Sequence, residues 1–133
     1  MIPPFNEHGY LPPGIHPATL AEVAERFGKD SEVRRAQMDS LRWLVELSAR
    51  AGVLRIVVNG SFVTDKLEPN DVDCALLIGS GYPSDVAANR ELVGGLPFIN
   101  AELVVDEGFE EFTGLIFASD RELQPKGMLE ILP

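Results

Sequence analysis

The sequence predicts an α/β (α+β) fold in which helices pack on one small mixed β-sheet. Between residues 18 and 51, apolar side chains recur at helical spacing between capping residues and glycines. Beyond residue 53, short β-branched apolar runs alternate with turns and with a helix-compatible segment. This order of elements is typical of a sheet with helices packed against it. At 133 residues, the chain has room for one domain with its own core.

Residues 1–17 are predicted to form an extended arm on the surface, ahead of a single domain at 18–133. The arm contains five of the ten prolines of the chain. Proline fixes φ and has no amide hydrogen, so this segment is predicted to build neither a helix nor a central strand.

A short helix is predicted to follow the arm. Pro17 is placed at its first position, where the missing amide hydrogen costs nothing. Thr19 and Glu22 have the spacing of a capping box, and Gly28 is the predicted stop.

A longer helix is predicted to start at a cap on Asp30 or Ser31 and to run to about Ala51. Gly52 follows as its C-terminal signal. The apolar positions fall mostly on one face, and the charged positions are predicted to be solvated.

The second half of the chain is predicted to supply the strands. The runs are short, apolar and rich in β-branched residues, and they are bounded by Gly, Pro, Ser or Asp. Strands are predicted at 54–59, 71–78, 98–105 and 126–132, a helix is predicted at 84–93, and the stretch 109–118 is compatible with either helix or strand.

Composition and charge limit the possible partners. The chain has a formal net charge of −10, and phosphate backbones are bound mainly through Lys and Arg, which argues against non-specific nucleic-acid binding. A nucleotide, an RNA end held through cations, or a basic protein partner stays open. No apolar run is long enough to span a membrane, and the start lacks the features of a signal peptide. With Cys74 as its one cysteine, the chain is expected in the cytoplasm.

Two aspartates one residue apart open the predicted strand at 71–78. Because strand side chains alternate, Asp71 and Asp73 point to the same side, and Cys74 points to the other. Adjacent carboxylates repel each other unless a cation lies between them. Mg²⁺, or Mn²⁺ in its place, is the expected ion, because it binds one or two carboxylates together with phosphate oxygens. The alternative is a surface turn, "EPND" at 68–71, whose acids only cap the strand.

The residues before this strand are predicted to lie beside the aspartates. The connector is too short for a parallel crossover, so the strands at 54–59 and 71–78 should be antiparallel neighbours. Gly60 would then allow a ligand to approach the backbone, Ser61 would contact its phosphates, and Lys66 in the same loop would assist.

A third acid is expected from the strand at 98–105. A two-metal phosphoryl-transfer site needs carboxylates from more than one strand. Glu102 lies in mid-strand among apolar neighbours, where an acid without a partner is unusual. Glu102 is therefore predicted to join Asp71 and Asp73 as a catalytic and metal-binding residue.

At these residues the chain resembles the nucleotidyltransferase superfamily typified by polymerase beta. The shared pattern is a strand, Gly60-Ser61, the pair Asp71 and Asp73 opening the next strand roughly a dozen residues after the glycine, and a third acid, Glu102, on a later strand. The resemblance covers about residues 54–105. Within the superfamily, the chain is similar to minimal single-domain bacterial members, and its flanks look like a family of short bacterial proteins without an assigned function.

The resemblance implies a nucleotidyltransferase-like core and a Mg²⁺-dependent reaction. Members of the superfamily move a nucleoside monophosphate from an NTP to a hydroxyl of an RNA end, a protein or a small molecule, and some belong to toxin–antitoxin or defence systems. Such an enzyme is the leading hypothesis. The alternative is a catalytically inactive module of the same fold that senses a nucleotide or acts as an antitoxin-like partner. The small size of the chain and its atypical loop after Ser61 favour this alternative.

Overall fold

A computed structural model describes residues 1–114 and 117–133 fully, and the backbone alone at 115 and 116. The described chain forms a five-stranded mixed β-sheet with four α-helices, which confirms the predicted α/β class. The strands are β1 (Gly14–Ala18), β2 (Arg55–Asn59), β3 (Val72–Leu77), β4 (Ile99–Val104) and β5 (Gly127–Ile131). The helices are α1 (Leu20–Phe27), α2 (Glu32–Ala51), α3 (Val86–Gly94) and α4 (Asp106–Glu111).

The sheet has the strand order β1-β5-β2-β3-β4. Its centre is antiparallel, because β2 pairs with β5 and with β3 in that sense, as the short connector between β2 and β3 predicts. Both edges are parallel pairs, β1 with β5 and β3 with β4. Since β2 ends where β3 begins, the residues after β2 and those opening β3 meet at one end of the sheet.

The predicted caps of the first two helices are confirmed. Thr19 and Glu22 form the capping box of α1, Ser31 caps α2, and Gly52 ends α2 with φ of 93°. The predicted start of α1 is wrong, because Pro17 lies in β1. A proline fits there because β1 is an edge strand, where a missing amide hydrogen leaves the sheet intact.

The C-terminal third combines helix and strand. The stretch at 109–118, which the sequence left open, is helical at first: α4 continues into a π-helical turn at Phe112–Ile116. β5 confirms the predicted final strand, and α3 confirms the predicted helix at 84–93. None of the helices in the described part of the chain is both long and apolar enough to cross a bilayer.

Apolar side chains cover both faces of the sheet. The face that packs under α1, α2 and α3 includes Val58, Cys74, Leu76 and Leu129. The opposite face includes Val57, Ala75, Leu77 and Met128, and it packs against Phe109 and Phe117. Cys74 is therefore a core residue, as the alternation along β3 predicts, and burial raises the pKa of its thiol far above the ordinary value.

The N-terminal segment is part of the domain, and the prediction of a separate surface arm at 1–17 is wrong. Leu11 is fully buried in the main core, and β1 begins within the predicted arm and extends past its end. The amide of Gly127 donates to the carbonyl of Leu11 at 2.9 Å. A Cβ on Gly127 would lie 2.0 Å from the carbonyl oxygen of Pro12, so the glycine lets the segment pass closely over β5.

Candidate functional site

A cleft of about 940 Å³ opens at the end of the sheet where β2 ends and β3 begins. Its walls come from the loop after β2, the start of β3 with its neighbour on β4, and the segment before β5. Five of the six predicted site residues line it: Gly60, Ser61, Lys66, Asp71 and Asp73. Glu102 is not among the residues of the wall.

The carboxylate of Asp73 lies against the backbone of Gly60. Gly60 has φ of 84° and ψ of −169°, a conformation that residues other than glycine essentially never adopt. A Cβ at Gly60 would lie 2.3 Å from Oδ2 of Asp73. Glycine is therefore required both by the backbone turn and by the space that Asp73 occupies.

The environment of Asp73 favours an added positive charge. Asp73 is half-buried, and burial is the main reason that the pKa of its carboxyl is raised. A hydrogen bond from Asn100 lowers this pKa, Asp71 raises it, and Lys126 lowers it. The negative charge of Asp73 is thus only partly compensated by the protein, and a cation beside it would offset both its burial and the repulsion from Asp71.

The expected convergence of three acids is wrong, because Glu102 lies too far along β4. In the parallel pair of β3 and β4, Asp73 is opposite Asn100, and Glu102 is opposite Ala75. Two residues of strand separate Asn100 from Glu102, which is about 7 Å. Nδ2 of Asn100 donates to Oδ1 of Asp73 at 3.1 Å. Within the described residues, no three His, Cys, Asp or Glu side chains are grouped to hold a metal ion.

A buried arginine holds the loop after β2 against α2. Arg34 is only 3% exposed, and its guanidinium donates to the carbonyl oxygens of Phe27, Phe62, Thr64 and Lys66. The bonds to Phe62 and Thr64 measure 2.7 and 2.8 Å. The prediction that the charged positions of this helix are solvated is therefore wrong at Arg34. Carbonyl groups of the loop accept the hydrogen bonds that water would otherwise accept from the guanidinium. Helical periodicity does not predict such contacts with a distant loop.

The third wall of the cleft comes from residues that the sequence did not assign to the site. Lys126, just before β5, is half-buried and lines the cleft with Arg121. Burial lowers the pKa of Lys126, whereas the charges of Asp73 and Asp120 raise it. The hydroxyl of Tyr10 donates to Oδ2 of Asp120 at 2.6 Å, which joins the N-terminal segment to this wall.

The donor set of the cleft fits a hard divalent cation. Carboxylate oxygens of Asp71 and Asp73 are the ligands that Mg²⁺ and Mn²⁺ prefer, and both face one cleft. The same cleft is lined by three cationic side chains, Lys66, Arg121 and Lys126.

A family model described as "Family of unknown function (DUF6932)" matches residues 3–132. The chain belongs to this family. The DUF6932 match includes the N-terminal segment and β5, and therefore all three walls of the cleft. Comparisons with the curated proteins and with the solved structures gave no match.

Proposed function

We propose that this DUF6932 protein is a Mg²⁺- or Mn²⁺-dependent nucleotidyltransferase, which moves a nucleoside monophosphate from an NTP to a hydroxyl acceptor. One observation supports this above all: Asp71 and Asp73 face the same cleft as Gly60 and Ser61. Gly60, Ser61 and Asp71 lie at the adjoining ends of β2 and β3, and Asp73 lies on β3, so the antiparallel pairing of these strands brings the four residues together.

Each group of the cleft has a role that follows from its chemistry. Asp71 and Asp73 would hold the cation, which when bound neutralises phosphate charge during transfer. Ser61 offers a hydroxyl donor, and Lys66 and Lys126 offer positive charge to the phosphate chain. In this proposal the protein contributes mainly positioning and charge stabilisation.

A second candidate function is nucleotide binding without transfer. Asn100 stands beside Asp73, where the superfamily pattern would favour a third acid, and Glu102 lies outside the cleft. A sensor or antitoxin-like partner would need binding alone, and the net charge of −10 would suit a basic protein partner. We place either function in the cytoplasm, where a lone thiol such as Cys74 stays reduced.

The first test is thermal unfolding of the protein with Mg²⁺ or Mn²⁺ and each NTP. A ligand that binds only the folded state raises the melting temperature, so one or more cation–NTP pairs should stabilise the wild type. D73A should lose this stabilisation. E102Q should keep it, because Glu102 lies outside the cleft. Equal responses of D73A and wild type would contradict the proposal.

The second test separates the two candidate functions. The wild type is incubated with cell extract and with NTPs labelled at the α-phosphate. Label that enters RNA, protein or a small molecule in the wild type, but not in D73A, supports the transferase. Binding without any transfer of label supports the sensing module.

A further inference from the structure

Asn59, the last residue of β2, has a buried oxygen atom without a donor. The residue is 2% exposed, and its Oδ1 accepts no hydrogen bond from the described part of the chain. A buried acceptor left in this state lowers the stability of the fold, so native proteins rarely keep one without a use.

The position of Asn59 relates this oxygen to the aspartates. Asn59 is directly opposite Asp73 in the antiparallel pair of β2 and β3, and side chains so paired lie on one face with Cβ atoms about 4.5–5.5 Å apart. Both residues line the same cleft. Gly60 follows Asn59, and because it has no side chain, the carboxylate of Asp73 can lie close to the backbone there.

We propose that Oδ1 of Asn59 is a third ligand of the divalent cation, with the carboxylates of Asp71 and Asp73. An amide oxygen is a hard donor that Mg²⁺ and Mn²⁺ accept beside carboxylates. The inference rests on the cation site of the proposed function, and it moves the third ligand from β4 to β2. Asn100, on the other side of Asp73, has a different role, because it donates its amide hydrogen to Asp73.

Two other buried side-chain oxygens also lack a hydrogen-bond partner, but they lie away from the cleft. Ser48 and Gln37, both on α2, also have such an atom, but neither residue lines the cleft. Asn59 alone of these three faces the cleft that contains the two aspartates.

The test measures Mn²⁺ binding without nucleotide, from the loss of the paramagnetic resonance signal of free Mn²⁺. In N59L, which keeps the shape but removes the oxygen, the affinity for Mn²⁺ should fall by about tenfold or more. The melting temperature of N59L in EDTA should not fall, because the unpaired oxygen is gone. E102L is the control, since it removes a polar side chain from the same face of the sheet but outside the cleft, and its affinity should not change.

A second variant keeps the proposal testable if N59L does not fold. N59D places a third carboxylate beside Asp73, so it should bind Mn²⁺ more tightly than the wild type and should melt at a lower temperature in EDTA. A wild type that binds no Mn²⁺ overturns the cation site, and the proposed function with it. A wild type that binds Mn²⁺ while N59L and N59D bind equally well overturns only the role of Asn59. An equal loss in N59L and E102L also overturns that role.

Discussion

The pKa of Asp73 is set by opposing effects of its surroundings in the cleft. Its carboxyl is half-buried against Gly60, accepts a hydrogen bond from Asn100, and lies near the charges of Asp71 and Lys126. Burial has the largest effect and raises the pKa of this carboxyl from its ordinary value of 3.8. Without a cation, the ionised form is thus less favourable in the folded protein than in the unfolded chain.

This shift predicts how the stability of metal-free protein depends on pH. A raised pKa in the folded state means that the protonated carboxyl stabilises the fold below the unfolded pKa, and this contribution is lost as the pH rises through the folded value. D73N stays neutral throughout. The melting temperature of D73N minus that of wild type, measured in EDTA, should therefore be smallest near pH 3.5 and should rise by a few degrees toward pH 7.

A pH-independent difference, or one that falls with pH, would contradict this account of Asp73. N100A provides a matched control, because it removes the hydrogen bond that lowers the pKa of Asp73. Its stability relative to wild type should be lower at pH 7 than at pH 3.5.

At the scale of elements, the site depends on the loop between β2 and β3 and on the helix that holds it. The cap Ser31 and two side chains on α2 donate to carbonyl groups of this connector: Ser31 to Leu67, Arg34 to Phe62, Thr64 and Lys66, and Gln37 to Pro69. These bonds replace regular secondary structure in a stretch that has little of its own, and they fix the wall that contains Ser61 and Lys66.

Removal of the Arg34 guanidinium should therefore release the loop. R34Q takes this donor from the buried carbonyls of Phe27 and Phe62, and each such group costs about 1–3 kcal/mol, so the free energy of unfolding in urea should fall by at least about 2 kcal/mol. Stabilisation of R34Q by Mg²⁺ and NTP should weaken as well. R26Q is the matched control, because Arg26 donates to the carbonyls of Ile2 and Pro3, away from the cleft. If R34Q unfolds like R26Q, the loop does not depend on Arg34.

Elements also explain why Asp71 and Asp73 could be placed from the sequence whereas Glu102 could not. The alternation along β3 and its antiparallel pairing with β2 follow from local pattern and connector length. The register of β4 depends on the path through α3, which alternation along a strand does not report. Glu102 lies two residues beyond Asn100, which is the residue opposite Asp73. It therefore stays on the predicted face of β4 but lies outside the cleft.

At the scale of the whole molecule, the two ends of the chain form one side of the sheet and part of the cleft wall. β1 and β5 pair at one edge of the sheet, and Leu11, in the N-terminal segment before β1, is buried in the core. Tyr10 reaches Asp120, so the same segment supports the wall that contains Lys126. The N-terminal residues are thus part of both the core and the site.

Deletion of residues 1–12 tests this role. The loss of Leu11 alone should lower the free energy of unfolding by about 1.5–3 kcal/mol, and the cleft should lose its contact with Tyr10. Urea denaturation measures the first effect, and stabilisation by Mg²⁺ and NTP measures the second. Deletion of Met1 alone, which is 99% exposed, is the control. An unchanged stability after deletion of residues 1–12 would favour a dispensable arm.

The sequence by itself determined the α/β class, the extent of α2, the antiparallel pairing of β2 with β3, and the placing of Asp71 and Asp73 beside Gly60. These features follow from periodicity, caps and short connectors, which act between residues close in the chain. Only the tertiary structure decided that β1 joins the sheet, that Arg34 is buried, that Asn59 and Asn100 flank Asp73, and that Glu102 lies apart. Each of these features depends on packing and strand register between segments distant in the chain, which local sequence patterns do not predict.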